Sequence, residues 1–114
     1  MGGTELEDRV ADAFRKAGFI VFVRKNRCDV LAVNLKAELA YLIECKDYEL
    51  SAKHQRLAVR ELNRNYTHAL EVLLANKLFV KKVLKVLVAR GFAYRARGIL
   101  QFTPEDLEKH ASGR

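Results

Sequence analysis

The stretch Tyr41-Leu42-Ile43-Glu44-Cys45-Lys46 reads as an apolar strand that carries an acid and a base on one of its faces. Side chains alternate along a strand, so Glu44 and Lys46 point one way and Ile43 and Cys45 the other. Upstream, Asp29 heads a second apolar run, Val30-Leu31-Ala32-Val33. Such runs belong inside a sheet, where charges are rarely buried unless they are paired or hold a cation. The chain therefore has to build a sheet whose end gathers Asp29, Glu44 and Lys46. An acid on one strand and acid-x-lysine on the next supply hard oxygen ligands for a divalent cation and a positive charge beside an attacking water. Those are the requirements of metal-assisted phosphodiester hydrolysis. A half-exposed strand with a cross-strand salt bridge is the plain alternative; the apolar Leu42, Ile43 and Cys45 around the charges argue against it.

Charge points to a polyanionic partner. Lys and Arg number 21 against 14 Asp and Glu, a formal +7, with an isoelectric point near 9.6. Apart from the strand acids, most carboxylates fall near the two ends of the chain, which leaves the middle basic. Nucleic acid is the expected partner, ahead of a membrane. Nothing at the N-terminus has the pattern of a signal peptide, and no apolar run approaches the ~18 residues of a bilayer span. A cytoplasmic protein is expected. Cys28 and Cys45 stand in no CxxC and near no suitably spaced histidine, so they are expected to be free thiols. The 114 residues suit a single domain over 1–114, with core enough to need no disulfides.

The periodicity predicts a helix over 5–17, with Leu6, Val10, Ala13, Phe14 and Ala17 at helical spacing and Gly18 as a left-handed cap. Strands follow at 19–24, 29–33 and 39–46, joined by short loops and so antiparallel. A polar break at 47–51 leads to a helix over 52–65. Residues 66–90 read either as one long helix or as a strand at 70–75 followed by a helix over about 78–90. The short apolar run Val72-Leu73-Leu74-Ala75, ended by Asn76-Lys77, favours the second. Short strands are expected at 92–95 and 99–102. Thr103-Pro104 caps a last helix.

The order helix, three strands, helix, strand, with Asp29 on the second strand and Glu44-Cys45-Lys46 on the third, resembles the PD-(D/E)XK nuclease superfamily. Within it the chain is most similar to archaeal Holliday junction resolvases and Mrr-type endonuclease domains, over roughly residues 5–102. The resemblance implies an α/β fold with a restriction-endonuclease-like α-β-β-β-α-β core, its mixed central sheet flanked by helices. It also implies a metal-dependent DNA endonuclease acting on structured or branched DNA in repair or recombination. On the family pattern Asp29 and Glu44, the backbone carbonyl of Cys45 and Glu7 would hold one or two Mg²⁺ or Mn²⁺ ions, and Lys46 would orient the water. Glu7 matches a glutamate of the resolvases' first helix; its spacing to Val10, Ala11 and Phe14 puts it along the buried stripe. It also suits a first-turn acid favoured by the helix dipole. Two features depart from the resolvases: only Lys25 to Cys28 separate the first strand from Asp29, and Cys28 stands in place of a usual proline.

Candidate nucleic-acid contacts are Arg24, Lys25 and Arg27 beside the second strand, and Lys53, Arg56, Arg60 and Arg64 on the next helix. Gln55 loosely matches a glutamine or lysine that some branches place near the metal, and equally suits a solvent-exposed position. Paired scission by a domain with one site needs a two-fold assembly, so a homodimer is expected. The residues Leu78, Phe79, Val83, Val86 and Leu87, placed on the penultimate helix, are its candidate face along with core. A non-catalytic nucleic-acid-binding module, or a subunit of a nuclease complex with the same fold, is the alternative.

Overall fold

A computed structural model describes residues 2–113. Five strands form one mixed sheet in the order β1-β2-β3-β4-β5. The chain order is α1 (Gly2–Lys16), β1 (Ile20–Lys25), β2 (Cys28–Asn34), β3 (Leu39–Cys45), α2 (Ala52–Ala75), β4 (Lys82–Val88), β5 (Leu100–Phe102) and α3 (Pro104–Ala111). The first three strands pair antiparallel. β3 and β4 are parallel, as are β4 and β5; a parallel neighbour requires a crossover, which α2 supplies.

Helices cover both faces. Val30, Ala32, Tyr41, Ile43 and Val86 pack with Leu6, Val10 and Phe14 of α1 and Leu107 of α3. The alternate residues Leu31, Val33, Leu42 and Leu87 pack with Ala58, Leu62, Ala69 and Leu73 of α2. This double burial is why the strands read as unbroken apolar runs. Gly18 closes α1 at φ 93°, a left-handed cap that only glycine takes without strain. Asn26 and Arg27 both have positive φ, 50° and 70°, the geometry of a tight type I′ hairpin turn. Thr103 caps α3, its hydroxyl accepting from the Asp106 N–H, with proline in the first turn.

The second half of the chain departs from the sequence expectation. No strand forms at 70–75: α2 runs unbroken to Ala75, because Ala58, Leu62, Asn65, Ala69 and Val72 recur at helical spacing on its buried side. No helix forms over 78–90: Lys82–Val88 is β4. Residues 92–95 are a loop and not a strand, and their backbone groups bond to side chains instead. The proposed dimer face is dispersed as well. Val86 and Leu87 are fully buried in the sheet, while Phe79, in the connection before β4, is 71% exposed. Among the described residues no helix is long and apolar enough to cross a membrane.

Candidate active site at the end of β2 and β3

The site forms where the β2–β3 ladder stops. Paired residues run from Asn34↔Leu39 to Val30↔Ile43; the same register two residues further would set Cys45 against Cys28. Instead the Asp29 carboxylate accepts the Cys45 N–H at 3.0 Å. The side chain thus replaces a backbone partner, satisfying a buried donor and fixing the carboxylate beside β3. Glu44 follows from strand alternation and is only 5% exposed. Lys46 follows on the same face, its Nζ 3.4 Å from Glu44 Oε2, and its own N–H bonds to Val88 O, extending the β3–β4 pairing past the end of the strand.

Glu7 reaches the same place from α1. It lies on the buried stripe as its spacing predicts, with Glu5, Asp8 and Asp12 exposed. Glu7, Asp29, Glu44, Cys45, Lys46, Asp47 and Tyr48 line one cleft of about 350 Å³. A larger groove of about 1210 Å³ lies between α1 and α3, lined by their mixed-charge surfaces, and includes none of these strand-end groups.

Burial and crowding of like charge dominate the electrostatics. Burial first, then Asp29's charge, pushes the Glu44 carboxyl up to about 8 despite the opposing pull of Lys46. Asp29 is raised to about 6, again by burial first; the Cys45 N–H opposes this, and Glu7 raises it as a charge and as a hydrogen-bonding neighbour. Burial disfavours the Lys46 ammonium, but the surrounding anions, Glu44 foremost, outweigh it and raise Lys46. The cleft carries more carboxylate than its one lysine neutralises, so it favours an added proton or an added cation.

The donors present are hard oxygens, the kind that Mg²⁺ and Mn²⁺ prefer. Among the described residues no three His, Cys, Asp or Glu side chains converge tightly enough to hold an ion between them. Mg²⁺ does not need such a set, because it is commonly held by one or two carboxylates and keeps several waters. Asp29 and Glu44, which line the cleft with Cys45, match that requirement in number and kind of ligand. Glu7 is brought to the cleft but is engaged elsewhere, its Oε1 accepting from Arg24 at 2.8 Å.

One of the expected nucleic-acid contacts, Gln55, is corrected by the structure, and another, Arg24, is exposed but ion-paired within the chain. Its backbone is left-handed at φ 52°, and its guanidinium turns onto α1 to bind Glu7 and, at 2.9 Å, Asp8. Gln55 is neither exposed nor part of the cleft. It is fully buried; its Oε1 accepts from the N–H groups of Ala93 and Tyr94, and its Nε2 donates to the Tyr94 carbonyl. It staples the loop before β5 to the first turn of α2. Lys25, Arg27, Lys53, Arg56 and Arg60 are exposed. The hairpin bearing Lys25 and Arg27 is held against α2 through Asn26, which donates to the His68 carbonyl and Glu71, and through Asn65, which donates to the Arg27 carbonyl.

Asp47, Tyr48 and Arg90 do not stand out in the sequence. Asp47 accepts from Arg90 Nε at 2.8 Å, and Arg90 also reaches Glu105, which shares Arg9 with Glu108. This chain of ion pairs ties the cleft to α1 and α3. The period of two through Glu44, Lys46 and Tyr48 is the signal that could have found Tyr48. No family model matches the chain, nor does any curated protein or solved structure.

Proposed function

We propose that this chain is a divalent-metal-dependent DNA endonuclease with a restriction-endonuclease-like core, acting on structured or branched DNA in the manner of the Holliday junction resolvases. The observation that carries the reading is the union of Asp29, Glu44 and Lys46 in one cleft at the splayed end of β2 and β3. The order α-β-β-β-α-β through β4 supports it, as does the basic α2 beside the site. A salt bridge alone would not require two carboxylates with raised pKa values to share a buried strand end, a cost that function explains more readily than stability does.

In this reading Asp29, Glu44 and the Cys45 carbonyl hold Mg²⁺ or Mn²⁺, which when bound polarises the phosphodiester and lowers the pKa of coordinated water. Lys46 donates to the water or the non-bridging phosphate oxygen and stabilises negative charge there as it grows. Glu7, released from Arg24, can add a further carboxylate. Lys25, Arg27, Lys53, Arg56 and Arg60 take backbone phosphates, contacts that position DNA without reading its sequence. A second copy would provide paired scission, and the exposed Leu70, Leu74 and Phe79 supply apolar surface for it.

The test is a panel of linear and branched DNAs incubated with Mg²⁺ or Mn²⁺. Wild-type protein should cut at least one; Glu44→Gln and Lys46→Ala should each cut at least about a hundredfold more slowly, with affinity in EDTA retained. Equal cleavage by Glu44→Gln would show that the site is elsewhere. Binding without cleavage of any substrate would favour a non-catalytic nucleic-acid-binding module.

A further inference from the structure

Tyr48 lines the cleft with Asp29, Glu44 and Lys46, yet it is 47% exposed while the acid beside Lys46 is buried. Its backbone is fixed. Arg90 N–H donates to the Tyr48 carbonyl at 3.0 Å and Leu50 N–H to Gly91 O at 3.0 Å, with Glu49 bridged to Gly91. Gly91 permits that approach, since a β-carbon there would lie 2.9 Å from Glu49 Cγ. The ring is braced as well. His54 stands perpendicular to it, with centroids 6.2 Å apart, and is itself held by Ser51 Oγ 3.0 Å from its Nδ1.

The surroundings are aromatic and cationic. Lys53 and Arg56 project from the first turns of α2. The loop that Gln55 staples to the same end of that helix carries Tyr94, 37% exposed, together with the exposed Arg95 and Arg97. A fixed aromatic face among cations suits a nucleic-acid strand whose phosphates meet the cations and whose base stacks on the ring. A base inside a duplex has both faces covered by its neighbours, so only an unpaired base can take such a seat.

We propose that Tyr48 is a stacking platform for an unpaired base next to the scissile phosphate, so that the substrate class is DNA with unpaired nucleotides at the cut: gaps, flaps, frayed ends or loops. What is cut at this seat rests on the nuclease reading; the stacking itself does not. The test measures binding in EDTA, by anisotropy, of a single strand, a gapped duplex and a continuous duplex, with 2-aminopurine at the unpaired position to report stacking. Wild type should bind the unpaired substrates more tightly than continuous duplex and quench the 2-aminopurine. Tyr48→Ala should lose roughly tenfold or more on the unpaired substrates, the worth of one base–aromatic stack, while duplex affinity stays within about twofold. Tyr48→Phe keeps the ring and should behave as wild type, which also controls for folding.

Equal weakening on all three DNAs, or no weakening on any, would overturn the proposal, as would wild-type protein that binds none of them. Cleavage with Mg²⁺ by the same preparations separates the two readings. Preference for unpaired DNA that depends on Tyr48, without cleavage, supports the platform and sinks the nuclease. Cleavage of continuous duplex at a rate indifferent to Tyr48→Ala, without quenching, does the reverse.

Discussion

Replacing Glu44 with Gln should remove much of the pH dependence of this protein's stability. The Glu44 side chain is 7% exposed, and its carboxyl rises from 4.5 to about 8 because burial, and then Asp29, oppose its ionisation. A raised folded-state pKa means that the native protein holds a proton the unfolded chain has released. Stability from this group is therefore complete below about 4.5 and is lost as pH rises through about 8. At about 1.36 kcal/mol per pKa unit, the loss between about pH 5 and about pH 9 comes to roughly 4 kcal/mol. Asp29, raised from 3.8 to about 6, adds a loss of the same sign in both proteins, mostly below neutral pH. Urea unfolding in EDTA at the two pH values measures the effect. Wild type should lose roughly 4 kcal/mol more than Glu44→Gln over the interval, whatever constant offset follows from removing the partner of Lys46. Parallel pH profiles for the two proteins would refute the reasoning. At the higher pH, Mn²⁺ should then raise the unfolding midpoint of wild type, because it binds only the folded site, and barely move that of the variant.

Asp29→Ala strands the buried Cys45 N–H and should cost about 1–3 kcal/mol in urea unfolding at about pH 5, whereas Asp29→Asn keeps an acceptor there and should cost clearly less. Gln55→Ala removes three hydrogen bonds from the loop before β5. It should destabilise the protein by about 2 kcal/mol or more and speed limited proteolysis between residues 91 and 99. Arg56→Ala with Arg60→Ala should make the salt dependence of DNA affinity shallower, by about 0.9 in log–log slope for each phosphate that is no longer neutralised. An unchanged slope would take α2 out of the binding face.

The elements of the first half of the chain, and the gathering of Asp29, Glu44 and Lys46 at one strand end, are legible from the residues because the signals are local. Gly18 after an amphipathic stripe, a short polar turn through Lys25, Asn26 and Arg27, and apolar runs bounded by turn residues leave little choice of element between residues 5 and 46. Strand alternation alone sets Glu44 beside Lys46, and helical spacing alone buries Glu7. The second half is misleading because a strand covered on both faces loses its period of two. In β4, Val83 and Leu87 pack toward α2, while Leu84, Val86 and Val88 pack toward α1 and α3; with Lys82 and Lys85 three residues apart, the apolar pairs Val83-Leu84 and Val86-Leu87 recur at the spacing of a helix. Tertiary structure also decides what each polar side chain is for. Gln55 looks like a ligand contact in sequence but is consumed by a loop 38 residues away, and Arg24, though exposed, is ion-paired to a helix 17 residues away. Local periodicity carries no information about partners at that distance. The order of residues is enough to say which strand end gathers charge; it takes the packed sheet to stand Tyr48 at the mouth of that end and to turn Arg24 onto Glu7.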